Sequence, residues 1–205
     1  EKEMKKKGIK IVLSGPSGSG KGTIVKKVVE NNKAILSVSA TTRAPREGEQ
    51  EGIHYFYKTK AEFEKMVKNN ELLEYAEFCG NYYGTPKDFI EQKTSEGIDV
   101  ILEIEVQGAL QVKEIYPEAV FIFITPPNLE ELKNRLIGRG SETIETIEKR
   151  LHRAKEELLY YSEYDYIVVN ENLDDAVETI ETIIDAQHYS TYNCKQIIET
   201  IIEER

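Results

Sequence analysis

A glycine-rich loop with one lysine near its end is the segment whose residue types are best suited to chemistry. It reads Gly15, Pro16, Ser17, Gly18, Ser19, Gly20, Lys21, Gly22, Thr23. Glycines let the backbone curl so that successive N–H groups point into one anion-sized hollow, and the lysine adds a full positive charge. The spacing matches G-x-x-x-x-G-K-[ST] except at Gly22, where a hydroxyl residue usually stands. The loop predicts a phosphate site, and the alternative is an ordinary glycine-rich turn.

The residues on either side of this loop support the phosphate interpretation. The apolar run 9–14 before the loop is typical of a buried strand. After the loop, Ile24, Val25, Val28 and Val29 recur at the spacing of one helix face. A helix that begins at the loop places its positive end beside the bound anion.

Arginines form two further groups that suit an anionic ligand. Arg43 and Arg46 lie three residues apart in the polar segment 41–49, which contains proline and glycine and is not a helix interior. Their planar guanidinium groups match pairs of phosphate oxygens, and the alternative is a solvated basic loop. Farther along, Arg135, Arg139, Arg150 and Arg153 lie in a helical region. Glycines flank Arg139, as in the hinge of a mobile lid, whereas we interpret Arg153 as ordinary solvated helix charge.

Segment 99–105 is an apolar run that ends in two carboxylates. Glu103 and Glu105 are two residues apart, so on a strand they would point to the same side. The carboxyl ends of parallel strands line the ligand crevice of open α/β sheets. Carboxylates there can orient the waters of a magnesium ion, anchor an arginine or accept from a base. The alternative is a solvent-exposed strand end.

The composition restricts the class of protein. The chain has 205 residues and a net charge of −10, which disfavours binding to a nucleic-acid backbone. It is 40% hydrophobic and 31% charged, as in ordinary globular proteins, and no apolar run is long enough to cross a membrane. Its two cysteines, Cys79 and Cys194, form no C-x-x-C pair, so we expect free thiols and no structural zinc. We expect a cytoplasmic protein.

The remaining apolar patterns predict alternating strands and helices. Strands are predicted at 9–14, 34–39, 53–57, 72–79, 82–85, 99–105, 119–124 and 165–170. Helices are predicted to start after the loop at residue 20, at 59, 86, 128 and 141, and over 106–116, with further helical patterns at 176–184 and from 194 onward. We expect a core of residues 8–38, 92–130 and 160–190 with a small lobe, 39–91, inserted into it. Residues 131–159 would form a lid, and residues 191–205 a helical tail that must pack on the core or on a partner.

Taken in order, these motifs resemble the guanylate kinase family over roughly residues 8–187. The motifs specific to that family are Thr41-Thr42-Arg43-Ala44-Pro45-Arg46 and Asn81-Tyr82-Tyr83-Gly84. Thr85, Leu102-Glu103-Ile104-Glu105 and Gly138-Arg139-Gly140 follow them in the same order. The family often has aspartates where this chain has Glu103 and Glu105. The resemblance implies an α/β fold of the P-loop NTPase type: a three-layer α/β/α core with a parallel sheet, an inserted mixed α/β lobe that binds the nucleoside monophosphate, and a helical lid.

The resemblance also implies how the acceptor nucleotide is bound. Residues Arg43, Arg46, Tyr55 and Tyr83 would hold the phosphate of GMP, while Ser39, Glu74, Thr85 and Glu105 would surround guanine, with Glu103 also on the substrate side. Guanine offers N1–H and N2–H donors to a carboxylate such as Glu74, whereas adenine presents an acceptor there and leaves that carboxylate unpaired. A hydroxyl of Ser39 or Thr85 could donate to O6. The same site could accept dGMP.

For the reaction, the resemblance implies ATP as the second substrate. ATP would lie on the phosphate loop, near Arg135 and Asn170, and the groups around the transferred phosphoryl would be Lys21, Arg43, Arg139 and Arg150. Mg²⁺ would be held chiefly by phosphates and water near Thr23 and Glu103, with no direct protein ligand assigned. We expect a monomer or a homodimer.

Two other functions are compatible with parts of the pattern. A non-catalytic guanylate-kinase-like module would bind phosphopeptides, but such modules carry eroded phosphate loops and lids, whereas Lys21, Arg139 and Arg150 are present here. A related kinase could act on a sugar phosphate, but Glu74 and Thr85 as a guanine-reading pair argue against it. The sequence therefore favours an ATP:GMP phosphotransferase.

Overall fold

The computed structural model describes residues 7–78, 80–138 and 144–203. Its strands are β1 (Lys10–Ser14), β2 (Ile35–Leu36), β3 (Ala40–Thr41), β4 (Phe56–Tyr57), β5 (Leu72–Phe78), β6 (Asn81–Pro86), β7 (Val100–Glu103), β8 (Val120–Thr125) and β9 (Tyr166–Val169). Its α-helices are α1 (Lys21–Glu30), α2 (Lys60–Lys68), α3 (Lys87–Ser95), α4 (Val106–Ile115), α5 (Leu129–Ile137), α6 (Ile144–Leu158), α7 (Leu173–Gln187) and α8 (Thr191–Glu203). A short 3₁₀ segment, Leu159–Glu163, follows α6.

A parallel sheet with the strand order β2-β7-β1-β8-β9 forms the centre of the fold. In its middle, Ile11 of β1 lies opposite Ile101 of β7 and Val120 of β8. The middle of β1, residues 11–13, is continuously apolar and buried, since helices cover both faces of the sheet. One hydrophobic cluster joins the sheet to α1 and α7, and a second joins it to α3 and α4. This three-layer α/β/α arrangement confirms the predicted fold class.

A second, mixed sheet with the order β4-β3-β6-β5 comes from residues 40–86. β3 pairs parallel with β4 and antiparallel with β6, and β5 and β6 form an antiparallel hairpin. Phe63 of α2 is 1% exposed, and its ring stacks on Tyr82 with centroids 5.5 Å apart. Thr59 and Glu62 form a capping box at the start of α2. The second sheet therefore has a small hydrophobic core of its own.

Several predicted strands are shorter than expected or divided. The predicted strand 34–39 is wrong as one unit, because β2 ends at Leu36 and the chain enters the other sheet as β3. The predicted strand 53–57 is reduced to β4, since residues 50–55 form turns in which the Gly52 N–H donates to the Tyr55 carbonyl at 2.9 Å. The predicted strand 99–105 ends at Glu103, and Glu105 is instead the N-cap residue of α4.

The tail forms a helix, as expected, but α8 begins at Thr191 rather than at residue 194 and buries no residue. Its first turn is tied down by the Asn193 amide, which donates to the Gln187 carbonyl at 2.8 Å. Just before it, His188 Nε2 lies 2.8 Å from Asp99 Oδ2. Cys194 is a free thiol, while Cys79 lies outside the described residues. No helix in the described part of the chain combines the length and apolar character needed to cross a membrane.

The buried ring of Phe63 should account for much of the stability of the second sheet. We expect Phe63→Ala to lower the free energy of unfolding by about 3–5 kcal/mol, because it removes apolar contacts and leaves a cavity. Urea unfolding measures this change. The exposed neighbour Glu64 provides the control, and Glu64→Ala should change stability by less than about 0.5 kcal/mol. A loss below about 1 kcal/mol in Phe63→Ala would contradict this role for the ring.

Candidate active site

The phosphate loop lies between β1 and α1 in a conformation that requires glycine at two positions. Gly15 has φ 144°, and a Cβ there would lie 2.0 Å from the carbonyl oxygen of Ile124 on β8. Gly20 has φ 92°, and a Cβ there would lie 2.2 Å from Nδ2 of Asn170. α1 begins directly after Gly20 and has no acidic residue in its first turn. Its unpaired N–H groups and positive end are therefore available to an anion.

Lys21, the first residue of α1, lies over this loop and is 8% exposed. Its ammonium donates to the carbonyl oxygens of Gly15 at 2.6 Å and Pro16 at 3.3 Å. The positive charge is therefore held against the backbone of the loop, close to the groups that an anion would contact.

Asn170 and Arg135, both predicted on the ATP side, hold the backbone of the phosphate loop by hydrogen bonds. Asn170, which follows β9 and is buried, donates from Nδ2 to the Ser19 carbonyl at 2.8 Å. Arg135 of α5 donates from Nη2 to the Asn170 carbonyl at 2.8 Å and from Nη1 to the Ser19 carbonyl at 3.5 Å. Its Nε donates to Glu131 at 2.8 Å. These contacts connect the loop to β9 and α5.

Glu103 and Glu105 occupy different positions at this end of the sheet. Glu103 ends β7 beside Gly22, where a Cβ would lie 3.5 Å from Glu103 Oε1. Although Glu103 keeps contact with solvent, the protein atoms around it raise the pKa of its carboxyl, and Lys21 partly offsets this effect. Glu105 lies 4.0 Å from Nη2 of Arg153. The prediction that both carboxylates share one strand face is wrong, because Glu105 lies beyond the strand.

Three residues predicted to hold the acceptor phosphate contact one another in the second sheet. The guanidinium carbon of Arg43 lies 5.3 Å from the ring centroid of Tyr55. Tyr55 and Tyr83 pack edge to face with centroids 6.0 Å apart. The structure therefore groups one cation and two phenol rings from three separate segments.

Glu49, to which the sequence analysis assigned no role, joins Arg43 to Arg46 and Tyr57. Its Oε1 accepts from Nη2 of Arg43 at 2.9 Å. Its Oε2 accepts from the Arg46 N–H at 2.7 Å and from the Tyr57 hydroxyl at 2.8 Å. These bonds lower the pKa of Glu49 to about 2 and raise the pKa of Arg43. The available signal was an acid three residues after Arg46 in a turn-rich loop, which is weak without the fold.

Arg46 itself is placed differently from Arg43. Its guanidinium is exposed and makes no hydrogen bond or ion pair to the described residues. Its link to the cluster is the backbone N–H that donates to Glu49. The proposed contact between the Arg46 side chain and a phosphate stays a prediction.

The residues predicted to surround guanine include one close pair. Thr85 of β6 donates its hydroxyl to Oε1 of Glu74 on β5 at 2.5 Å. The other oxygen of Glu74 lies against Gly108 of α4, where a Cβ would be 3.3 Å away. Burial raises the pKa of Glu74, and the Thr85 hydrogen bond opposes that shift. Ser39 is half-buried between β2 and β3, and its carbonyl accepts from the Phe56 N–H at 2.8 Å.

Of the other arginines predicted for the lid, the structure describes Arg150 and Arg153. Arg150 is half-buried on α6, which packs on α5 through an apolar cluster, whereas Arg139 lies outside the described residues. Arg153 is exposed, as expected, but it is also paired: its Nε donates to the buried Glu157 at 2.9 Å. Thr23 is exposed in the first turn of α1. These placements leave the roles of Arg139 and Arg150 as predictions.

A parallel sheet with a glycine loop after β1, a buried lysine and a helix N-terminus defines a phosphate-binding α/β protein of the P-loop kinase class. The fold resembles that of an unliganded sugar kinase from Janibacter sp. HTCC2649, with a TM-score of 0.51 over 87% of this chain and 95% of that one. At 16% sequence identity, this likeness concerns the fold alone.

Closer similarities identify the family. A family model described as guanylate kinase matches residues 7–187. Guanylate kinases from Lactococcus lactis subsp. lactis (strain IL1403) and Bacillus subtilis (strain 168) are each 54% identical over 187 residues, covering 91% and 90% of this chain and 91% and 92% of theirs. A crystal structure of guanylate kinase from Anaplasma phagocytophilum is 36% identical, with a TM-score of 0.70 over 91% of this chain and 89% of that one. The chain belongs to the guanylate kinase family, which confirms the resemblance seen in the sequence.

The raised pKa of Glu74 predicts a pH-dependent effect on stability. The folded protein holds a proton on this carboxyl more readily than the unfolded chain, so the ionised form costs stability at neutral pH. We expect Glu74→Gln to be more stable than the parent at about pH 7, with the gap closing towards about pH 4.5. Urea unfolding of the ligand-free proteins measures the gap.

The exposed Glu77 on the same strand provides a matched control, since Glu77→Gln removes the same charge without changing a buried group. A Glu74→Gln protein that is less stable than the parent at about pH 7, or a gap independent of pH, would contradict burial as the cause of the shift.

Proposed function

We propose that this chain transfers the γ-phosphoryl group of ATP to GMP and so produces ADP and GDP. The observation that carries the proposal is its 54% identity to guanylate kinases over nine-tenths of both chains. The non-catalytic alternative, a phosphopeptide-binding module, is not favoured. The phosphate loop keeps glycine at the positions where a side chain would not fit, and it keeps the buried Lys21. The roles below are assigned to residues by combining the family pattern with their contacts.

The carboxylate of Glu74 is proposed to select guanine. It is partly buried, and Thr85 is its hydrogen-bond donor. The N1–H and N2–H groups of guanine would satisfy its remaining lone pairs. Adenine has no donor at N1 and would leave a desolvated acceptor unpaired, and such mismatches discriminate strongly. Ser39 and Glu105 are proposed at other edges of the base.

The cluster of Arg43, Tyr55 and Tyr83 is proposed to hold the phosphate of GMP, together with Arg46. Arg43 supplies a planar set of N–H donors, and each phenol hydroxyl can donate once to a phosphate oxygen. The cluster would bind an anion on a chain whose net charge is −10, so its local positive charge would matter more than the overall sign.

The loop 15–23 is proposed to hold the phosphates of ATP, with Asn170 and Arg135 keeping it in shape. The carbonyl partners of Lys21 are neutral acceptors. A phosphate oxygen forms a stronger, charge-assisted hydrogen bond and would compete successfully for the ammonium. Lys21 would then neutralise charge at the β- and γ-phosphates.

The residues beside the loop fit a bound Mg²⁺. Glu103 places one carboxylate next to Gly22, and no group of three acidic, histidine or cysteine side chains that could enclose a metal occurs within the described ranges. One nearby carboxylate with phosphate oxygens and water matches the preference of Mg²⁺ for oxygen ligands. The chemistry that Mg²⁺ would supply beside Glu103 is positive charge that offsets the negative charge developing during transfer.

Positioning and charge neutralisation would account for the rate. The phosphate of GMP is already a nucleophile, so no strong base is required, and the two phosphate sites need only align the attacking oxygen with the γ-phosphoryl. Lys21 and Arg43 would stabilise the transferring group from the donor and acceptor sides. Arg139 and Arg150 are proposed to complete this set from the helical region when the nucleotides are bound, which also excludes water.

The direct test is nucleotide preference in a coupled assay of ADP release. We expect kcat/KM for GMP to exceed that for AMP by a factor on the order of 10⁴, because only guanine satisfies the buried Glu74. Activity should be lost when Mg²⁺ is chelated and should return when it is restored. Equal use of AMP, or ADP release that does not depend on GMP, would contradict the proposal.

The role of the phosphate loop is tested by Lys21→Met. We expect turnover to fall by at least about 10³-fold while the thermal unfolding midpoint stays within about 4 °C of the parent. Lys26 lies on the same helix with its side chain 76% exposed, so Lys26→Met provides the control and should keep full turnover. Normal turnover in folded Lys21→Met would remove this lysine from the mechanism.

A further inference from the structure

We infer that Glu49 is a positioning residue for the acceptor phosphate: it fixes Arg43 and the 43–49 loop in the geometry that binds GMP, without touching the nucleotide. This inference rests on the proposed function, because it requires the phosphate of GMP at Arg43.

The position of Glu49 suits it to hold the loop at several points. One oxygen accepts from the Arg43 side chain, and the other accepts from the Arg46 backbone and the Tyr57 hydroxyl. The Glu49 N–H donates back to the Arg46 carbonyl at 3.0 Å, so residues 46–49 form a closed turn. A single carboxylate therefore links both ends of the loop to β4.

Arg43 needs such a partner because a free arginine side chain has many rotamers, and fixing one costs entropy when the ligand binds. Its ion pair with Glu49 is largely shielded, with side chains 15% and 18% exposed, so solvent weakens it less than a surface pair. Nη1 donates to the Ala44 carbonyl at 2.8 Å, and the guanidinium carbon lies over the ring of Tyr55. These contacts orient the guanidinium before GMP arrives.

Removing the charge of Glu49 distinguishes a positioning role from a purely electrostatic one, because the two roles predict opposite changes in the affinity for GMP. Glu49 is ionised at neutral pH, so on Coulomb grounds alone its removal should strengthen the binding of an anionic phosphate. If Glu49 acts by holding Arg43, its removal should weaken that binding instead. We expect the second result, because the glutamine of Glu49→Gln has one acceptor oxygen where Glu49 uses both.

The experiment measures steady-state KM and kcat for both substrates in Glu49→Gln. We expect KM for GMP to rise about tenfold or more, the equivalent of one lost charge-assisted hydrogen bond, while KM for ATP stays within about twofold. Glu47→Gln is the matched control. Glu47 lies exposed in the same loop and makes no side-chain hydrogen bond to the described residues, so KM for GMP should stay equal or fall slightly.

Two further variants test whether Glu49 acts through Arg43. In an Arg43→Gln background, Glu49→Gln should cause no further loss of kcat/KM for GMP, because the group that it positions is already absent. Tyr57→Phe removes one donor to Glu49 and should raise KM for GMP in the same direction by a smaller factor. Thermal unfolding shows whether Glu49→Gln folds. If it does not fold, KM for GMP in Tyr57→Phe tests the inference in its place.

An unchanged or lower KM for GMP in folded Glu49→Gln and Tyr57→Phe would overturn the inference, and so would additive losses with Arg43→Gln. If the parent enzyme does not use GMP, both the proposed function and this inference fail. If the parent uses GMP and the variants behave like the parent, the inference alone fails.

Discussion

The close approach of three strand ends is the constraint on which the site depends. β1, β8 and β9 run parallel in adjacent positions, so their carboxyl ends meet at one edge of the sheet. There the carbonyl of Ile124 and the amide of Asn170 leave no room for a side chain on the loop after β1. The same crowding lets Asn170 hydrogen-bond Ser19. The sheet register therefore determines the backbone path that presents N–H groups to a phosphate.

Arg43 and Lys21, two of the cationic groups proposed to bind phosphate, each have a carboxylate nearby, and the two arrangements differ. Arg43 is held by a direct ion pair with Glu49, which orients the guanidinium. Lys21 rests on backbone carbonyls, and Glu103 interacts with it only through space. An arginine gains from a fixed orientation because its donors form a rigid plane, whereas an ammonium is a compact charge that can redirect its donors. The acceptor side is thus more preorganised than the lysine on the donor side.

The parts of the fold that sequence predicted well are those with a continuous local signal. β1, the glycine loop and β8 follow from apolar runs and turn chemistry that adjacent residues define. β2 and β3 were not separable, because strands of two residues have no periodicity to reveal that they enter different sheets. Glu49 carried only a weak local signal, since its partners include Tyr57 on β4, which only the folded turn brings into reach. Glu105 was misplaced because an acidic strand end and a helix N-cap look alike in sequence.

Recognition of the base is proposed to depend on a contact between the two sheets and not on either sheet alone. Glu74 belongs to β5 of the second sheet, yet its carboxylate lies against Gly108 of α4, which covers the central sheet. A side chain at Gly108 would crowd that carboxylate at 3.3 Å. α4 begins directly after Glu105, so the position of this helix follows from the end of β7. The strand that places Glu103 beside the loop after β1 therefore also fixes the helix against which Glu74 is held, and β7 would thereby link the two proposed nucleotide sites.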